Sequence, residues 1–364
     1  MKRIMVVMGT RPEAIKLCPL VLELRKRGRT TVSVCASGQH RNLLNPVLRD
    51  FGIEADDALD VMRTGQSESV LYAKLLFRID NLLQRKRPDL VLVQGDTSTA
   101  CAAAQAAFYR NIPIGHVEAG LRTYRMRSPF PEEYHRRAIA LTADLHFAPT
   151  EHAAENLRRE GIDGRSIFVT GNTVVDALRY SLDRKTGYRL PQIPSDKKLV
   201  LFTAHRREHL DRLDEMFDSL CEIVKTHTDV VAVCPLHPNP AVRRAAKVLQ
   251  GRERILCIEP PSMLAFHRLL ARAYLILTDS GGIQEEATAL GIPTIVMRYS
   301  TEREEGVQAG NLLLSGCSKG RIVESAAQLL GENETLYQSM KKPSLVFGDG
   351  NASSRIAELL EKHR

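Results

Sequence analysis

The sequence contains no tryptophan, and aromatic residues make up only 5% of its 364 positions. Nucleic-acid binders that stack bases need aromatics interleaved with cations, and that pattern is missing. Long apolar runs are missing too. LVLFTA (199–204) and YLILT (274–278) fall far short of the ~20 residues needed to cross a bilayer. The opening MKRIMVVMGTRPEA has a basic end and an apolar run. That run is shorter than a signal-peptide h-region of ~7–15 residues, meets Arg11-Pro12-Glu13 and offers no small-residue cleavage site. It is expected to be a first strand. The seven cysteines (Cys18, Cys35, Cys101, Cys221, Cys234, Cys257 and Cys317) are odd in number and form no CxxC. Several lie in apolar runs, where cysteine acts as a small core residue. This argues against a disulfide framework and a zinc ribbon, and for a reducing, cytoplasmic setting.

Lys plus Arg number 51 and Asp plus Glu 43, a net charge of +8. The 43% hydrophobic and 26% charged fractions are those of an ordinary globular chain, not a disordered, collagen-like or coiled-coil one. A basic balance suits nucleic acid or an anionic small substrate. Because the cations are scattered through helical stretches, most are expected to be solvated faces, and no nucleic-acid partner is expected.

Short apolar runs alternate with segments of helical period. Strands are expected at 3–8, 31–36, 90–94, 113–117, 145–149 and 166–170, then at 198–203, 230–234, 254–258, 274–278, 293–297 and 311–314. Continuous apolar strands alternating with helices predict parallel sheets covered on both faces. The expectation is therefore an α/β chain of two Rossmann-like, doubly wound domains facing a cleft. A proline-containing, aperiodic stretch (186–198) separates them, giving domains of 1–188 and 189–364. The last helix, roughly 352–363, can pack on either.

Ligands of such sheets bind beyond the carboxyl ends of the strands. After the first strand, GTRPEAIK (9–16) offers Gly9 for a tight turn, Pro12 for a helix start, and Arg11 and Lys16 as cations. It is not GxGxxG, so no dinucleotide fingerprint is present. Asp96 follows LVLVQ and precedes three hydroxyl residues; it is either a helix cap or an acid aimed at a ligand. Glu118 follows PIGHV with a weaker capping excuse. Glu132 and Glu133 follow Pro131; successive helical residues diverge by about 100°, so only one can face a given spot, and both also suit a helix dipole. His205 is the first polar residue after KLVLFT. His205-x-x-Glu208-His209 has the spacing of a zinc peptidase, but His205 sits at a strand-to-helix turn and a further ligand is not evident, so no metal is expected. Asp279-Ser280-Gly281-Gly282 opens a helix and offers free N–H groups to an anion. Glu286, one turn on, can accept hydrogen bonds from ribose hydroxyls. Acids on one domain and an anion cradle on the other point to an enzyme acting on a nucleotide-linked small molecule.

GTRPEAIK, GQHRNLL (38–44), GDTSTA (95–100), GHVEAGLRT (115–123), PEEYHRR (131–137), GNTVVDAL (171–178), TAHRRE (203–208), PLHPNP (235–240), TDSGGIQEEA (278–287) and FGDG (347–350) run in order through the chain. Together they resemble the non-hydrolysing UDP-N-acetylglucosamine 2-epimerases. TDSGGIQEEA alone indicates only the wider glycosyltransferase-B-like architecture. The resemblance implies two Rossmann-like domains, a homodimer, and interconversion of UDP-GlcNAc and UDP-ManNAc with no cofactor. UDP is eliminated to leave a 2-acetamidoglucal, then adds back with inverted C2. UDP-ManNAc feeds cell-surface polysaccharide synthesis.

Carried over by motif, Asp96, Glu118 and Glu132 are the acid–base carboxylates, and His205 lies by the diphosphate. Arg11, Lys16 and Arg136 serve the anionic site. Ser280, Gly281 and Gly282 hold phosphate, Glu286 the ribose, and Phe266 packs near the uracil. His237, with Gln39, His40 and Arg206, matches the subsite where bacterial members bind a second UDP-GlcNAc as activator. The chain departs from the family at His135 and His209, where Asn is common (Asn or Ser for the second), at Asn42 for Gln, and at Gly65 for Arg. Competing readings are a hydrolysing relative that releases ManNAc and UDP, an epimerase for a modified UDP-sugar, a retaining glycosyltransferase, a non-catalytic UDP-sugar sensor and a basic RNA binder.

Overall fold

The computed structural model of the chain describes residues 1–39, 41–63, 65–184, 190–331 and 334–363. The chain forms two compact units, one of Met1–Tyr180 with Gly348–Arg364 and one of Ser181–Phe347. The expected boundary at 188/189 lies outside the described residues.

The first unit is built on strands β1 (Lys2–Met8), β2 (Thr30–Ala36), β3 (Asp57–Ala58), β4 (Leu90–Gln94), β5 (Ile114–Val117), β6 (Leu145–Ala148) and β7 (Ile167–Val169). They form one parallel sheet in the order β3-β2-β1-β4-β5-β6-β7. The second unit has β8 (Lys198–Thr203), β9 (Val230–Pro235), β10 (Ile255–Ile258), β11 (Leu275–Thr278), β12 (Thr294–Val296) and β13 (Leu312–Leu314). Its parallel order is β10-β9-β8-β11-β12-β13. Every run expected as a strand is one. The addition is β3, two residues paired through Cys35↔Asp57 and Ala36↔Ala58, too short and polar to mark itself by hydropathy.

Both faces of each sheet are covered, so the central strands are apolar throughout; Ile4 to Met8 are fully buried. The helix Ser98–Tyr109 is rich in alanine, and Ala100, Ala102, Ala103, Ala104, Ala106 and Ala107 are fully buried. Such small side chains let it lie close to its neighbours on the sheet. The helix Ala352–Lys362 belongs to the first unit. Arg27 donates to Ser354 Oγ at 2.8 Å. The Asp176 carboxylate accepts from the Ala352 and Ser353 amides at 3.2 and 2.7 Å, capping that helix from a distant point in the sequence.

Strand order reverses between β1 and β4, and again between β8 and β11. The crevices beyond the carboxyl ends of these pairs are where doubly wound sheets take ligands.

Candidate functional site

On the first unit, the loop after β1 leads into the helix Arg11–Arg27. Thr10 is its N-cap, and Glu13 completes a capping box. Gly9 is required by close approach, not by a turn: a Cβ there would lie 2.2 Å from Thr99 Oγ1 and 2.3 Å from Ser37 Oγ. Arg11 is half-buried at the first helical position, and Lys16 is buried one turn on.

The Lys16 ammonium pairs with Glu118 Oε2. Glu118 follows β5, is 8% exposed, and has φ +64°, a left-handed conformation that non-glycine residues adopt at a cost and that clusters at functional sites. Gln94 Nε2, at the end of β4, donates to Glu118 Oε1 at 3.0 Å. Asn172 Nδ2 donates to Oε2 at 2.6 Å. Three donors thus fix one buried carboxylate.

Asp96 does not cap the next helix. Thr97 takes that place, accepting from the Ala100 amide at 3.0 Å, and leaves the Asp96 carboxylate to pair with Arg136. The helix Glu132–Thr142 decides between its two leading acids. Glu133 is fully buried and accepts from the Thr123 and Tyr124 amides at 3.0 and 3.1 Å, a structural duty. Glu132 is half-buried on a different side of the helix. His135 Nδ1 bonds the Asp96 carbonyl at 2.9 Å, and burial pushes the His135 imidazolium below its usual range.

On the second unit, Asp279 is fully buried between the ends of β8 and β11. Its Oδ2 accepts from the His205 and Arg206 amides, both at 2.8 Å. His205 is one-third exposed, and its ring stacks on His237 with centroids 5.1 Å apart and planes 9° apart. The Asn239 amide donates to His237 Nδ1 at 3.1 Å, which directs the proton of the neutral ring to Nε2. His209 lies in a short 3-10 segment at φ −121°, ψ 15°, so His205 and His209 do not share a helix face as a zinc peptidase requires. Among the described residues, no group of three or more His, Cys, Asp or Glu is placed to hold a metal ion.

The helix Gly281–Leu290 begins at Ser280, whose side chain makes no capping hydrogen bond. Its first amides are therefore left for an anion. The two glycines differ. A Cβ on Gly281 would meet the Arg303 guanidinium at 2.7 Å, whereas one on Gly282 would meet nothing within 4 Å. Gly281 makes room for Arg303, which donates to Glu285 Oε1 at 2.8 Å; Gly282 faces open space. Glu286 is buried, lies 3.3 Å from His267 Nε2 through Oε1, and keeps Oε2 without a hydrogen-bond partner among the described residues. That oxygen can accept from a ligand hydroxyl. Phe266 is partly buried and packs against the core cluster that contains Leu199, Leu201 and Ile276.

Gln39 sits on the first unit, where its Oε1 accepts from the Thr99 hydroxyl at 2.8 Å. Arg206 and His237 are on the second unit, and Arg206 lies 3.5 Å from Glu302. His40 lies outside the described residues.

Two parallel, doubly wound units with polar residues at the strand ends define a protein of the glycosyltransferase-B-like class. A solved structure, the glycosyltransferase of kitacinnamycin, shares the fold at 14% identity and a TM-score of 0.69, over 99% of this chain and 98% of that one. The model of the UDP-N-acetylglucosamine 2-epimerase family matches residues 22–361. The chain is 46% identical over 365 residues to the UDP-N-acetylglucosamine 2-epimerase of Bacillus subtilis, covering 99% of this chain and 95% of that protein. The crystal structure of the UDP-GlcNAc 2-epimerase of Neisseria meningitidis bound to UDP-GlcNAc superposes with a TM-score of 0.95 at 42% identity, over 99% of this chain and 100% of that one. The chain belongs to the UDP-N-acetylglucosamine 2-epimerase family.

Sequence reasoning passed over Glu13, Gln94, Asn172 and Asp279 as site residues. Thr10-x-x-Glu13 fits the capping-box spacing, a usable signal for Glu13. Gln94 and Asn172 carry none, because their role appears only where β4, β5 and the loop after β7 meet at Glu118.

Proposed function

We propose that this chain interconverts UDP-N-acetylglucosamine and UDP-N-acetylmannosamine without hydrolysis. The C1–O bond breaks and UDP leaves with its electron pair. The C2 proton passes to a carboxylate, leaving 2-acetamidoglucal; an acid then delivers a proton to the opposite face of C2 as the UDP oxygen re-forms the C1–O bond, which inverts C2. The observation that most supports this is the Glu118 carboxylate, buried and held by Lys16, Gln94 and Asn172. A group that moves a proton to and from carbon must be held in one geometry within a protected site.

Asp96, Glu118 and Glu132 share the acid–base work, with Arg136 orienting Asp96. The helix start at Ser280–Gly282, with Arg11, Lys16 and His205, stabilises charge on the departing UDP. Glu286 takes the ribose and Phe266 the uracil side. No step is assigned to a metal or redox cofactor. The relative from Neisseria meningitidis, whose structure holds UDP-GlcNAc, supports the choice of substrate.

The active form is a homodimer in the cytoplasm. Exposed Phe77, Phe108, Tyr109, Tyr134 and Leu141 lie on three successively packed helices of the first unit. Exposed apolar side chains on neighbouring helices support a protein contact there. No described helix is long and apolar enough to cross a membrane.

Incubation with UDP-GlcNAc in deuterated water, followed by NMR, tests the reading. UDP-ManNAc should appear, with deuterium at C2 of both sugars. Accumulation of free ManNAc and UDP would favour the hydrolysing reaction. Neither exchange nor new product would overturn the proposal.

A further inference from the structure

We propose that Glu13 is a positioning residue for Asp96: it ties the loop after β4 to the loop after β1 and so sets where the Asp96 carboxylate meets the substrate. The inference rests on the epimerase reading and deepens it.

Glu13 is fully buried and has no access to a ligand. Its Oε2 accepts from the Gly9 and Thr10 amides at 3.0 and 2.8 Å. A capping box needs no more than this. Its Oε1, however, accepts from the Thr97 hydroxyl at 2.8 Å. Thr97 adjoins Asp96, so one carboxylate joins the two strand-end loops that flank the reversal of strand order. The Thr97 hydroxyl both donates and accepts. Its proton goes to Glu13, and its oxygen accepts from the Ala100 amide at 3.0 Å.

Three further anchors at Gly95 and Asp96 come from the opposite side. His116 Nε2 on β5 bonds the Gly95 carbonyl at 2.8 Å. His135 bonds the Asp96 carbonyl at 2.9 Å, and Arg136 pairs with the Asp96 carboxylate. Because β4 lies between β1 and β5, the loop is clamped from both neighbouring strands. Glu13 supplies the β1-side hold at the residue adjoining Asp96; farther along the segment, Thr99 meets Ser37 and Gln39. Without Glu13 that adjoining hold is lost, and a shift of about 1 Å at a reacting group can cost 100-fold in rate.

The test uses the full chain with Glu13→Ala, Glu13→Gln, Thr97→Val and Thr97→Ser. Glutamine keeps a carbonyl for the Gly9 and Thr10 amides and turns an amide to the Thr97 oxygen. Serine keeps the hydroxyl. E13A and T97V should lower kcat roughly 10–100-fold with KM for UDP-GlcNAc nearly unchanged, and E13Q and T97S should restore most of it. Hydrogen exchange in the 95–99 segment should rise in E13A and T97V alone. Wild-type kcat in both E13A and T97V, a parallel rise in KM, or unchanged exchange in that segment would overturn the inference. A wild-type chain without epimerase activity would overturn the functional reading instead, and the exchange measurement would still decide the clamp.

Discussion

Asn172 Nδ2 donates to Glu118 Oε2 at 2.6 Å, so a residue that follows β7 fixes a carboxylate that follows β5. Asn172 also accepts from the Val174 amide at 3.1 Å through Oδ1, which settles the orientation of its amide. A buried carboxylate deprived of one such donor loses roughly 1.5–3 kcal/mol of charge-assisted hydrogen bonding. Asn172→Ala should therefore lower the rate of C2–H exchange by about 10–100-fold while UDP binding persists. Steady-state kinetics with calorimetric UDP titration checks this. An unaltered rate would mean that the remaining partners of Glu118 suffice to hold it.

Glu118→Gln removes the charge but keeps the shape. Solvent deuterium incorporation should fall by more than about 100-fold, the scale of acid–base catalysis. UDP binding should change less than exchange, because the helix start at Ser280–Gly282, proposed to take the phosphates, belongs to the second unit. Loss of UDP binding in parallel with exchange would assign Glu118 to binding.

The two glycines at the start of the helix Gly281–Leu290 should separate by experiment. Gly281→Ala must push Arg303 away from Glu285, because the new Cβ would meet the guanidinium at 2.7 Å. Its thermal midpoint should drop. Gly282→Ala enters open space and should leave the midpoint unchanged or raised, since alanine is the better helix former by up to ~1 kcal/mol. It should nonetheless weaken UDP binding by obstructing the helix amides. Thermal melts with and without UDP read both effects, and the reverse order of stabilities would refute this account of the glycines.

Stability should depend on pH through the buried histidines. Burial pushes His116 down to about 3 and His146 to about 4. The unfolded chain then binds more protons than the folded one between those values and about 6.5, so stability rises with pH in that window and is lost on acidification. Glu13 acts in the opposite sense: burial raises it to about 7, and its contribution falls as pH climbs from about 4.5 to 7. His116→Gln, which keeps a donor for the Gly95 carbonyl, should flatten the acid limb of midpoint against pH. An unchanged limb would exclude His116 as a source.

The alternation of apolar strand and helix was legible because a strand covered on both faces must be apolar at every position, as at Ile4 to Met8. Local turn chemistry pointed to Asp96, Glu118, His205 and the Ser280–Gly282 helix start, since each lies within two residues of a strand end. It left finer duties open or misplaced. Asp96 was open between a cap and a free acid, and Thr97 takes the cap; Gly9 reads as a turn residue, but Ser37 and Thr99 lie against it.

The sequence by itself determined the two α/β units and which strand ends carry polar residues, because those follow from periodicity and local hydrogen-bonding chemistry. Only the tertiary structure decided which residues meet. Lys16, Gln94 and Asn172 converge on Glu118, Glu13 reaches Thr97, and Arg303 fills the space over Gly281. These contacts join residues far apart in the chain, and strand order sets them; no local pattern encodes such a distance.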